Sequence, residues 1–144
     1  MTTVNINLTF NGNSEEAITI YRSVFGGESP YVGRFKDMPS DGGKPMPAED
    51  ADKIMHISLP ISKETVLLGS DTGGGWVPNF IKGNNFSISI ATDSKEEADR
   101  LFNGLSAGGE VTMPMNKTFW AEYFGTFTDK FGISWMVSFR EDPK

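Results

Sequence analysis

Cysteine is absent from the 144 residues. That rules out disulfide frameworks, thiolate nucleophiles and cysteine-based metal sites. Histidine occurs once, at His56, so imidazole chemistry has a single candidate. Basic side chains are outnumbered, 13 against 19 acidic, giving a formal net charge of -6 and a pI near 4.7. With no basic stripe, the chain lacks the electrostatic footprint of a nucleic-acid binder. Its acidic balance also disfavours anionic membrane surfaces. No apolar run is long enough to span a bilayer. The opening MTTVNINL has neither a basic segment nor an apolar stretch of signal-peptide type, so a cytoplasmic location is expected. The glycine-rich stretch TGGGWVPNFIKG, residues 72–83, is not a phosphate loop, because no Lys-Ser/Thr and no helix follow it.

Aromatics, by contrast, make up 12% of the chain, with 11 Phe and 3 Trp, enough apolar volume for one domain with a sizeable core. Near the start, NINLTF alternates strictly. Ile6, Leu8 and Phe10 point one way, and Asn5, Asn7 and Thr9 the other. A helix follows, with Asn13 and Glu16 at capping-box positions, an apolar stripe of Ala17, Ile20, Tyr21 and Val24, and a stop at Gly26–Gly27. The pattern then recurs. Asn85, Ser87 and Ser89 alternate with Phe86, Ile88 and Ile90, Ser94 and Glu97 form the cap pair, and Ala98, Leu101, Phe102 and Leu105 form the stripe before Gly108–Gly109. Asn13 and Ser94, Glu16 and Glu97, and Ala17 and Ala98 are each 81 residues apart. An internal duplication explains this shared phase. After each helix three strands are expected: SPYVGRF, KIMHISLPI and ETVLLGSD in the first half, and EVTMPM, FWAEYFGTF and ISWMVSF in the second. The chain therefore reads as a single α+β domain of two β-α-β-β-β modules, 1–71 and 84–140, with 72–83 as linker. Residues 37–52, rich in Pro, Gly and Asp, read as a surface loop, and Trp76 and Phe80 as elements of a lid.

Paired modules of this kind resemble the vicinal oxygen chelate superfamily, the fold of glyoxalase I, extradiol dioxygenases and bleomycin-resistance proteins. More narrowly, FNGNSEEAITIYRSVFGGE, DKIMHISLPI, LLGSD, DSKEEADRLFNGL, FWAEYFG and TDKFGISWMV resemble the PhnB-like branch, which carries the label 3-demethylubiquinone-9 3-methyltransferase-like. The resemblance runs nearly end to end. It implies a concave mixed sheet with helices on the outer face, and frequent homodimers. The methyltransferase label is not supported by the residues, since both strand-to-helix turns, FNGNS and ATDSK, lack the G-x-G of a conventional S-adenosylmethionine loop.

In metal-dependent members, the ligands come from the first and last strands of each module. Carried over, those places fall on Asn5, Asn85, Met136 and near Leu68. Two amides, a thioether and an alkyl chain do not make a site for a hard or borderline divalent ion. No metal and no cofactor is therefore expected. The polar strand faces, with Asn5, Asn7, His56, Ser58, Ser87, Ser89, Ser134, Met136 and Ser138, are expected to line a neutral hydrogen-bonding cavity, and Trp120 is divided between cavity and core. Trp135 is expected in the core. The resulting reading is a metal-free binder of a small neutral or hydrophobic molecule. The alternatives are an enzyme using His56 or Glu122 for proton transfer, a metal-dependent lyase or dioxygenase, and a regulatory or structural dimer.

Overall fold

A computed structural model of the chain describes residues 2, 4–26, 30–37, 50–72 and 80–139. The chain divides into two compact units between residues 81 and 82. The first contains β1 (Ile6–Phe10), α1 (Ser14–Phe25), β2 (Tyr31–Arg34), β3 (Ile54–Pro60) and β4 (Val66–Asp71). The second repeats this order as β5 (Ile88–Thr92), α2 (Lys95–Ser106), β6 (Glu110–Asn116), β7 (Tyr123–Thr128) and β8 (Ser134–Phe139). Each unit has its own four-stranded mixed sheet, ordered β1-β4-β3-β2 and β5-β8-β7-β6. In both, the first and last strands run parallel and the other pairs antiparallel. The helix between the first two strands makes that parallel pairing possible, since parallel neighbours need a long crossover. The α+β class and the β-α-β-β-β order of each half agree with the sequence pattern. Most of the expected linker (73–79), most of loop 37–52 and Trp76 lie outside the described residues.

In each unit one sheet face is covered by the unit's helix. In the first unit, Leu8, Ile57, Leu59 and Leu67 are buried, as are Ala17, Ile18 and Tyr21 of α1, which packs on β3 and β4. In the second, Trp135, Val137 and Phe127 of β8 and β7 are buried, as are Leu101, Phe102 and Leu105 of α2, which packs on those strands. Phe102 and Phe127 pack edge to face, with ring centroids 5.1 Å apart. Glycines allow this close approach. A Cβ at Gly69 would press on Ile57, and one at Gly125 would strike Phe102 and Met115. The helical stripe read for α2 is the buried one. That of α1 is rotated: Ser14, Ala17, Ile18 and Tyr21 are buried, whereas Ile20 and Val24 are only half-buried.

The two helix starts differ as well. Ser94 Oγ accepts from Glu97 N–H at 3.1 Å, a side-chain cap. Asn13 makes no such bond. Instead the buried carboxylate of Asp71, at the end of β4, accepts from Ser14 N–H at 2.9 Å and from Ile54 N–H at 2.9 Å. One carboxylate thus closes the helix N-terminus and joins β3 to β4, and its negative charge is favourable against the helix dipole. In the second unit Asp129 has a comparable task. It accepts from Phe131 and Ile133 N–H and from Trp135 Nε1–H at 2.8 Å, which holds that buried indole in place.

Candidate functional site

With one face of each sheet spent on its helix, strand alternation sends every second side chain to the other face. In the first unit the register sets Asn7, Leu68, Ser58 and Tyr31 in one row across β1, β4, β3 and β2. The next row brings Thr9 beside Ser70 and His56 beside Gly33. Gly33 leaves a gap that the Tyr31 ring leans across, so the Tyr31 and His56 ring centroids lie 6.3 Å apart. His56 is half-buried. This face is a wall of hydroxyls, one amide and one imidazole around Leu68.

The second unit presents a different chemistry. Ser89, Met136, Thr126 and Met113 form one row, and Ala91, Ser138, Phe124 and Asn116 the next. Ser134 pairs with Thr128 in the row beyond. Thr126 and Thr112 exchange a hydroxyl hydrogen bond of 2.6 Å, and Ser138 Oγ donates to Ile90 C=O at 3.3 Å. At the edge of this face stand Phe119 and Trp120. Thr118 fixes their turn: its N–H donates to Ala121 C=O at 3.1 Å, and its Oγ1 accepts from Ala121 N–H at 3.2 Å. Trp120 meets Phe124 edge to face with centroids 5.3 Å apart, and Phe119 meets Trp120 at 4.7 Å.

Of the residues singled out in the sequence, Asn7, His56 and Ser58 share the helix-free face of the first sheet, and Ser89, Ser134, Met136 and Ser138 that of the second. Asn5, Asn85 and Ser87 precede their strands and are exposed. The strand expected to carry Glu122 begins only at Tyr123, so Glu122 is an exposed residue ahead of β7, in a different unit from His56. Trp120 is 42% exposed, a surface residue and not core. Tyr31, Phe124, Thr126 and Met113 were missed. The alternation within YFGTFT carried the signal for Phe124 and Thr126. Met113 lies between two register shifts of β6, where simple alternation fails.

One carboxylate, Glu110, joins Thr128 and Ser134 in the outer row of the second face, whereas several other charged groups are engaged away from these rows. Arg34 pairs with Glu15 of α1 at 2.8 Å, and that bond raises the guanidinium pKa. Arg100 holds Glu97 at 2.8 Å and keeps its carboxyl below the usual range. Tyr123 donates to Asp99 at 2.7 Å on the helix side, which pushes its phenol up.

The fold family's chelated metal can be tested against this geometry. In register, Leu68 stands beside Asn7, and Met136 beside Ser89. These places supply one amide, one hydroxyl, one thioether and no carboxylate or imidazole, so a divalent ion does not fit them. Among the described residues no group of three His, Asp or Glu is placed to hold a metal. The methyl-donor cofactor fits no better at the helix starts, where phosphate- and carboxylate-binding loops commonly lie. Asp71 closes one, and Ser94 caps the other.

Two four-stranded mixed sheets, each backed by one helix, define a protein of the glyoxalase/bleomycin-resistance fold. The crystal structure of a glyoxylase/bleomycin resistance protein/dioxygenase domain from Frankia matches over 97% of this chain and 98% of its own, with a TM-score of 0.65 at 15% identity. Within that fold the chain belongs to the 3-demethylubiquinone-9 3-methyltransferase family, whose profile matches residues 2–138. It is 30% identical over 137 residues to Protein YjdN of Escherichia coli, covering 91% of this chain and 90% of that one. It is also 42% identical to protein PA1353 from Pseudomonas aeruginosa, whose crystal structure matches 97% of this chain and 100% of its own with a TM-score of 0.75.

Proposed function

We propose that this protein binds a small neutral or hydrophobic organic molecule on the helix-free face of its sheets, without a metal ion. The observation that carries this reading is the content of the central rows: Asn7, Leu68, Ser58 and Tyr31 in one sheet, Ser89, Met136, Thr126 and Met113 in the other. These side chains offer hydrogen bonds and apolar surface but no formal charge, the usual balance of a site for an uncharged ligand. An anionic substrate such as a phosphonate would find no Arg or Lys in these rows. A second reading, proton transfer by His56, is favoured by the position of that imidazole beside Tyr31 on the same face.

Thermal unfolding in the presence of a panel of neutral organic molecules tests the first reading. A ligand at about a hundredfold excess over its Kd should raise Tm by about 5 °C or more. Met136→Lys should abolish the rise. A panel in which only phosphonates stabilise the protein would contradict the proposal. Collapse of turnover in His56→Gln, once a substrate is in hand, would favour the second reading.

A further inference from the structure

Resting on that reading, we infer that the helix-free face of the second sheet selects flat aromatic molecules, held in the corner formed by Trp120 and Phe124. Three observations converge. First, Phe119 and Trp120 are 96% and 42% exposed, yet they are not loosely tethered. Both sit at the tip of a turn clamped by Thr118, with buried Ala121 as its anchor. An aromatic pair fixed before binding loses little further freedom when a ligand arrives. Second, the Trp120 and Phe124 rings cross at 73°, so one forms a wall and the other belongs to the floor. Phe124 shares its row with Ala91, Ser138 and Asn116, and the adjoining row contributes Met136 and Met113. Aromatic faces and edges favour a third ring in the corner, and thioethers pack well on π systems. Third, successive rows on one face are about 7 Å apart and neighbouring strands about 5 Å. A floor of two rows by two or three strands therefore matches a molecule of two or three fused rings. The absence of charge in both rows favours a neutral one.

Small hydroxyls at Ser89 and Thr126 flank Met136 and supply the hydrogen bonds that orient a phenol, ketone or similar substituent. Among the described residues the first sheet has no such corner: its exposed ring, Tyr31, lies over Gly33 beside His56.

Calorimetric titration with naphthol and with its saturated, puckered counterpart decahydronaphthol separates shape from hydrophobicity. The protein should bind naphthol, and Trp120→Ala should weaken that binding about tenfold, with Trp120→Phe restoring most of it. Trp120→Ala should leave the thermal midpoint nearly unchanged, since the indole is half in solvent. Equal affinity for both probes, or an unchanged affinity in Trp120→Ala, would overturn the aromatic selectivity and leave the neutral-face reading standing. Binding of neither probe at millimolar concentration would count against both readings.

Discussion

At the scale of single residues, the folded state depends on two buried carboxylates more than on surface ion pairs. Asp71 uses one oxygen on Ser14 N–H and the other on Ile54 N–H. An amide in its place keeps only one acceptor and turns an NH2 group toward a backbone N–H. Asp71→Asn should therefore lower unfolding free energy by about 2–3 kcal/mol, measured by denaturant titration. Ser14 provides the contrast. Its hydroxyl is buried and unpartnered among the described residues, so Ser14→Ala should be neutral or stabilising by up to about 1 kcal/mol. Equal destabilisation by both variants would mean that the helix start is organised differently. Exposed pairs such as Lys36–Asp52, 2.9 Å apart, contribute little by comparison.

At the scale of elements, the sequence repeat was legible because both halves solve the same packing problem. Alternation in a strand and 3.6-residue periodicity in a helix are local signals, and among the described residues they located the eight strands and the two α-helices. Where the reading slipped, the cause lay far along the chain. The Asn13 cap was expected from its neighbours, but the acceptor that closes α1 comes from Asp71, 57 residues from Ser14. No local pattern announces that partner. The consequence is testable. Ser94→Ala should cost about 1 kcal/mol, whereas Asn13→Ala should cost less than about half of that, compared by unfolding of the two variants. The rotated stripe of α1 has a similar origin: Ile18, not Ile20, fills the space above Gly69. The aromatic run FWAEYF misled in the other direction. It has strand-like composition, yet the Thr118 turn keeps Phe119, Trp120 and Glu122 out of β7.

At the scale of the whole molecule, fold and chemistry part company. The architecture is the glyoxalase/bleomycin-resistance fold, the family is the 3-demethylubiquinone-9 3-methyltransferase family, and the resemblance was visible in linked motifs along nearly the whole chain. The candidate site was only partly visible. Alternation assigned Asn7, Ser58, His56, Ser89 and Met136 to the face that each helix leaves free. It could not show that β6 changes register around Met113, or that a tight turn stands Trp120 against Phe124. A fold does not dictate its function, and the central rows of these faces carry hydroxyl, amide, thioether and alkyl groups in place of a chelating set.

The measurement that tests this account most directly is a calorimetric titration of chelator-treated protein with a neutral organic ligand, repeated after adding a stoichiometric divalent metal. Metal-independent binding means the same affinity in both titrations. Binding that appears only after the metal is restored would contradict it, and would require ligands other than Asn7, Leu68, Ser89 and Met136.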